Sequence, residues 1–316
     1  MHALHWDGTQ LRVRASYPEP QGPETWALVR VRLAGICSTD LQILKGYMDF
    51  TGVLGHEFVG EVVDGAPTLM GKRVVGEINF ACGTCDWCQQ RLGRHCPNRQ
   101  VMGILKADGS FAEYLAVPVA NLHEVPENVP DEAAVFTEPL AAAFEIIEQL
   151  HLRPGVEAVV LGDGKLGMLC AQVLHLAGAR VTVVGKHEKK LALLRQYGIR
   201  TVAGTDWRPQ PADLVIEATG TTDGLAHAMS IVRPRGTLVL KSTVAQAHAL
   251  SLAPLVINEV TVVGSRCGPF APALQALARQ QLGVIPLIDR MYPLKEGPAA
   301  VEHAAQRGAL KVLLRL

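Results

Sequence analysis

The stretch VEAVVLGDGKLGMLCAQVLHLAG, residues 156–178, decides the fold. Its first six residues form a short apolar run rich in valine, which reads as a buried strand. Gly162-Asp163-Gly164-Lys165-Leu166-Gly167 then fits G-x-G-x-x-G, and residues 165–177 read as a helix. A strand that turns through this pattern into a helix is what a dinucleotide needs. The first glycine makes the tight turn, the second lets the backbone approach a pyrophosphate, and the third lets helix and strand pack closely. The helix N-terminus adds N–H donors and the positive end of its dipole. The pattern alone is common in glycine-rich chains; its place between strand and helix carries the argument.

Downstream, residues 180–184, 213–217, 236–240 and 260–264 read as further strands, and residues 189–197 as a helix. Such alternation implies a parallel sheet with helices on both faces. Upstream, the first 120 residues are β-rich: LVRVRLAGI, FVGEVV, KRVVGEI and AEYLAVP are separated by Gly, Pro and Asp turns. DEAAVFTEPLAAAFEIIEQL, residues 131–150, reads as a helix or a pair of helices broken near Pro139. The last fifty residues hold helices near 271–281 and 298–306 and a closing strand, LKVLLRL, expected to return to the first domain. The expected class is α/β: a β-rich domain over residues 1–150, a doubly wound parallel sheet over 151–266, and a returning segment over 267–316.

A chain of 316 residues holds about two domains at roughly 100–200 residues each. With 30 basic and 30 acidic residues the net charge is zero, and no basic run interleaves with aromatics, which argues against a nucleic-acid partner. The start, MHALHWDGTQLRV, lacks an apolar signal segment, and no stretch of about 20 apolar residues is present to span a bilayer. The expectation is a soluble cytoplasmic protein with no membrane partner. Seven cysteines in a reducing compartment point to metal or catalysis before disulfides.

Four of them, Cys82, Cys85, Cys88 and Cys96, fall in CGTCDWCQQRLGRHC, a lobe at about residues 81–97. Four thiolates that close together converge on one tetrahedral Zn²⁺ and leave no open position, so the metal would be structural. Pro97 after Cys96 matches the bacterial iron–sulfur run, but the last spacing is seven residues rather than three. A second set of ligand types is dispersed: Cys37 in AGICSTD, His56-Glu57 in LGHEFVGE and Glu138 in FTEPLAA. Each alone reads as ordinary structure, a small buried thiol, a structural histidine or a helix N-terminal acid. Together, a thiolate, an imidazole and a carboxylate leave a fourth zinc position open, the mark of a catalytic site.

The strand ARVTVV ends at Gly185, followed by Lys186 and His187. An NAD site usually places Asp or Glu there to hold the ribose 2′-hydroxyl. No carboxylate stands at this tip, so Gly185 is expected to leave room for a 2′-phosphate and Lys186 to pair with it. NADP is favoured over NAD. Thr219-Gly220 and Lys241-Ser242-Thr243 follow strand ends and are expected to flank the nicotinamide ribose.

GICSTD, GHEFVGEV, the four-cysteine lobe, TEPLAAA, LGDGKLG and EATG occur in one order along nearly the whole chain. In these motifs the chain resembles the zinc-dependent medium-chain alcohol dehydrogenases, especially the polyol, threonine and sugar dehydrogenase branch. The resemblance implies a GroES-like catalytic domain, a Rossmann coenzyme domain, two zinc ions per chain, NADP or NAD, and a homodimer or homotetramer acting on a small-molecule alcohol. It makes Cys37 and His56 ligands of the catalytic zinc, and Glu138 a third ligand or a carboxylate that holds its water. Glu57 becomes a glutamate that swaps onto the metal, Asp40 the acid behind the histidine, and Thr39 the hydroxyl that first receives the alcohol proton. Two features depart from the pattern. Gln42 stands where many relatives have a proton-carrying histidine, and the interval between Cys37 and His56 is short. A zinc-free quinone or enoyl reductase, or a non-catalytic NADP(H)-binding protein on the same scaffold, are the alternatives. The first has no use for the dispersed ligands, and Gln42 is the one residue that favours the second.

Overall fold

The alternating run WALVRVRLAG becomes a ten-residue strand, Trp26–Gly35, with Ala27, Val29, Val31 and Leu33 buried. In the computed structural model, which describes residues 1–243 and 250–316, this strand organises a seven-stranded sheet. One edge pairs antiparallel with Glu57–Asp64. The other pairs antiparallel with Tyr114–Pro118 along its first half and with Lys311–Arg315 at its end. The register sets Gly35 opposite both Glu57 and Leu313. Two three-stranded sheets complete the β-rich part, one of Leu11–Arg14, Ala3–Trp6 and Gly52–Val53, the other of Asn79–Phe80, Gln100–Met102 and Lys106–Ala107.

The chain divides into two compact units. The first comprises Met1–Glu138, Leu274–Arg279 and Leu287–Leu316. The second comprises Pro139–Ala273 and Gln280–Pro286. These divisions fall at 138/139 and 273/274, beside the expected boundaries at 150 and 266. The first division falls inside a single helix, Thr137–Gln149. Pro139 does not break that helix. It sits in the first turn, where a missing N–H costs nothing. The interruption lies upstream, between the short helix Asp131–Ala134 and Thr137.

The second unit is built on six parallel strands in the order Arg200–Ala203, Arg180–Gly185, Glu157–Leu161, Ala212–Glu217, Val232–Leu240 and Thr261–Gly264. The order reverses at Glu157–Leu161, the strand that feeds the glycine-rich turn. Crevices for ligands open at such a reversal. Val159, Leu161, Val184, Val215 and Leu238 of this sheet form one buried apolar cluster with Ile231 from a helix packed on it. The edge strand Arg200–Ala203 and the helix Thr222–Ile231 escape the sequence reading. The first is four residues long and only partly buried, so it has no apolar run. The second is small and polar in its first turn. Among the described residues no helix is long and apolar enough to cross a membrane.

Candidate active site

Cys37 is the last residue before a short helix, Ser38–Ile43, and caps it. Its sulfur accepts the backbone N–H of Asp40, while Oδ2 of Asp40 accepts the backbone N–H of Cys37 at 2.8 Å. This reciprocal arrangement is a capping box with a thiol in place of a hydroxyl. It fixes the sulfur and turns Asp40 inward. Oδ1 of Asp40 lies 3.2 Å from Nδ1 of His56, a charge contact between two fully buried groups. Burial pulls the His56 imidazole down, but the charges of Asp40 and Cys37 outweigh it and hold the ring well above its usual value. With Nδ1 turned to Asp40, Nε2 is the nitrogen left for a ligand role. Thr39 places its hydroxyl 3.7 Å from the Cys37 sulfur. Gln42 is exposed on the same helix. The short interval before His56 is closed by a tight turn in which Met48 and Asp49 take left-handed backbone, at φ 66° and 48°.

Glu57 follows His56 and is 1% exposed. Its carboxylate folds back over Gly35, where any β-carbon would collide with Oε2. Oε2 is ion-paired to Nζ of Lys311, itself 1% exposed and resting 5.6 Å from the centre of the Phe136 ring. Burial alone would lower the Lys311 pKa; Glu57, then Cys37 and Glu138, raise it above its usual value. Among the described residues, Oε1 of Glu57 has no hydrogen-bond partner. A buried, unpartnered carboxylate oxygen is costly unless a cation or donor meets it.

The ligand atoms of Cys37, His56 and Glu57 lie within 4.8 Å of one another. A soft thiolate, an imidazole and a carboxylate at that spacing fit a zinc ion with room for another ligand. Glu138 lies outside this cluster of three, close enough for its charge to act on Lys311. Lys311 is absent from the sequence reading. The signal was there: LKVLLRL puts a lysine at the head of a strand whose next three residues are buried.

The four-cysteine lobe closes on itself. The sulfur pairs Cys82–Cys88, Cys85–Cys88, Cys85–Cys96 and Cys82–Cys96 are 3.9, 3.5, 3.7 and 3.5 Å apart. Tetrahedral zinc with Zn–S near 2.3 Å requires S–S edges of about 3.8 Å. The sulfurs therefore already outline the coordination polyhedron. Backbone N–H groups of Thr84 and Cys85 point at the Cys82 sulfur and draw its thiol down to about 5, while burial and the neighbouring Cys85 sulfur push the Cys88 thiol up to about 12.

In the second unit, Gly162 takes φ +111° and the carbonyl of Gly162 lies where a β-carbon on Gly167 would sit. Gly164 caps the helix Lys165–Leu176 and faces open space, as a cradle for pyrophosphate must. The room expected above Gly185 is absent. The Asp163 side chain fills it: a β-carbon on Gly185 would lie 2.6 Å from Cβ and 2.7 Å from Oδ2 of Asp163. Lys186, the residue expected to pair with a 2′-phosphate, is exposed beside it. Lys241 also departs from expectation. Its ammonium group turns inward, donating to the carbonyls of Ala142 and Arg266 and to the Ser265 hydroxyl at 2.7, 3.2 and 3.2 Å. It ties the helix to the strand ends. Ser242 accepts the N–H of Gly220 at 2.8 Å, and the Thr219 hydroxyl donates to Glu217 at 2.6 Å, so these loops are braced against each other. Thr243 is exposed beside them.

A dinucleotide turn in one unit and a buried thiolate–imidazole–carboxylate cluster in the other define a metal-assisted dehydrogenase. Comparison with known proteins agrees. The alcohol dehydrogenase GroES-like domain matches residues 23–127, and the zinc-binding dehydrogenase domain matches residues 166–280. A sorbitol dehydrogenase of Halalkalibacterium halodurans is 29% identical over 94% of this chain and 93% of its own length. An L-threonine 3-dehydrogenase of Streptomyces avermitilis is 30% identical over 94% of both chains. A zinc-binding dehydrogenase of Sinorhizobium meliloti solved with NADP superimposes with a TM-score of 0.91 at 27% identity, over 100% of this chain and 99% of its own. The chain belongs to the zinc-dependent medium-chain alcohol dehydrogenase family.

Two consequences are measurable. Lys311→Met leaves the Glu57 carboxylate buried without its cation and should cost about 3–5 kcal/mol in the metal-free protein, read by urea unfolding. Adding Glu57→Gln should recover most of that loss. Cys96→Ser should remove one zinc per chain by metal analysis and lower the melting temperature, because the lobe's small interior depends on its metal.

Proposed function

We propose that this chain is a zinc-dependent oxidoreductase that interconverts an alcohol and a carbonyl, with a nicotinamide dinucleotide as the hydride partner. The observation that carries the reading is the buried convergence of Cys37, His56 and Glu57. Cys37 and His56 would hold the catalytic zinc, with a carboxylate from Glu57 or Glu138 completing the set. Cys82, Cys85, Cys88 and Cys96 would hold the second, structural ion. The catalytic metal supplies Lewis acidity, which makes an alcohol hydroxyl acidic enough to ionise at neutral pH. The coenzyme supplies the hydride acceptor.

The chain's own residues do the rest. Oγ1 of Thr39, beside the Cys37 sulfur, accepts the hydroxyl proton and passes it outward. Gln42 takes up no proton near neutral pH, so the proton leaves through water or a ribose hydroxyl. Asp40 holds the orientation of His56, and Lys311 holds Glu57 by one oxygen while leaving the other unengaged. Gly162, Gly164 and Gly167 with the helix N-terminus receive the pyrophosphate. The relatives' names support a polyol, sugar or amino alcohol as substrate. The lobe's thiols bind metal only when reduced, which supports a cytoplasmic setting.

A homodimer is the assembly we favour. Among the described residues, the edge strand Thr261–Gly264 pairs on one side only, and Leu252, Val256 and Ile257 beside it are exposed. A second copy pairing along that edge would cover them.

A screen of polyols, sugars and amino alcohols with both coenzymes, followed by absorbance of the reduced nicotinamide, tests the reading. We expect turnover on at least one class, and a loss of about 10³-fold or more in kcat for His56→Ala, with the lobe's zinc retained. Full activity in His56→Ala would exclude the assignment.

A further inference from the structure

We propose that Asp163, in the middle of the glycine-rich turn, is the carboxylate that receives the adenosine ribose and selects NAD(H) over NADP(H). The inference rests on the dinucleotide reading of the second unit and adds a residue that sequence comparison of strand tips overlooks.

The acid of an NAD site usually stands at the tip of the second strand, and here that position is Gly185. The structure shows the missing carboxylate arriving from the other direction. Asp163 is 7% exposed and reaches across the tip. Its Oδ2 accepts the backbone N–H groups of Lys186 at 2.8 Å and His187 at 2.6 Å, and lies 3.0 Å from Nδ1 of His187. The absent side chain at 185 and the present one at 163 occupy the same space, so neither can be read without the other.

Three features of this arrangement bear on a 2′-phosphate. First, the two N–H groups at the tip are natural donors to a phosphate, and Asp163 already uses both. Second, the carboxylate is charged. Burial pushes its pKa up, but the hydrogen bonds from His187 and Lys186 outweigh that and hold it below its ordinary value. A phosphate bringing about two further negative charges would meet it across partly buried space. Third, the two cationic side chains at the strand tip itself are not turned to a phosphate: His187 turns Nδ1 to Asp163, and Lys186 is exposed. A ribose hydroxyl meets the opposite situation. Oδ1 of Asp163 is 3.2 Å from Nδ1 of His187 and keeps lone-pair capacity to accept a donated O–H.

The test is direct binding of NADH and NADPH to the zinc-loaded protein, followed by nicotinamide fluorescence, together with kcat/KM for NAD and NADP on the best substrate found. Wild type should favour NAD(H) by about tenfold or more, and Asp163→Asn should shrink that ratio by about tenfold, since like-charge rejection is lost while shape is kept. A merely structural role for Asp163 would weaken both coenzymes together and leave the ratio unmoved. Wild-type preference for NADP(H), or an unchanged ratio in Asp163→Asn, overturns the inference while leaving the dehydrogenase reading intact. The wild-type ratio needs no variant, so a misfolded Asp163→Asn does not rescue the idea. Binding of neither coenzyme to wild type would instead overturn the dinucleotide reading and this inference with it.

Discussion

Charge without water is the condition that shapes the first unit. Asp40, His56, Glu57 and Lys311 are each 3% exposed or less, and each is ionisable. Groups like these are stable in an interior only when every charge meets a partner. The fold supplies the partners from distant parts of the chain: a helix cap for Asp40, a strand opposite a glycine for Glu57, and a strand from beyond residue 310 for Lys311. What remains uncompensated is one face of the cluster, where the Glu57 oxygen and the Cys37 sulfur stand together. That face is where a cation would complete the set.

The two metal candidates differ in kind for the same physical reason. In the lobe, four sulfurs come from fifteen consecutive residues, and the backbone between them is short enough to bring them to tetrahedral spacing without help. The lobe has a small interior, for which a metal would stand in as a core. At the other cluster the ligands come from different strands and a helix cap, and the surrounding sheet holds them. A site built by the scaffold can leave a coordination position free; a site that builds its own scaffold cannot.

How much of this is legible in the sequence depends on whether the information is local. The turn, its strand and its helix appear within a residue or two of where periodicity puts them, because all three are contiguous. The four cysteines are legible for the same reason. Glu138 and Glu57 look equivalent as ligand candidates in sequence, and only the register of Gly35 against Glu57 brings the latter into the cluster. Lys311 stands at the head of an apolar strand, a local sign of burial, but its partner is 254 residues away and nothing local names it. Asp163 hid inside a motif, where it occupied a position written as x. Gly185 read as open space because sequence does not say which neighbour leans into a gap. Lys241 read as a surface cation at a ligand edge, and the backbone carbonyls that claim it belong to segments far off in the chain.

The strand Lys311–Arg315 lies between Trp26–Gly35 and Ile288–Pro293 in the sheet, so the first unit is discontinuous in the chain. A ribosome making this protein releases Cys37, His56 and Glu57 early, and then must synthesise the whole second unit before the lysine emerges. Throughout that interval the nascent pocket carries a carboxylate with no counter-charge and a sheet with an unfilled seat. The charge that neutralises Glu57 and the strand that fills that seat thus arrive together, after the whole second unit has been made.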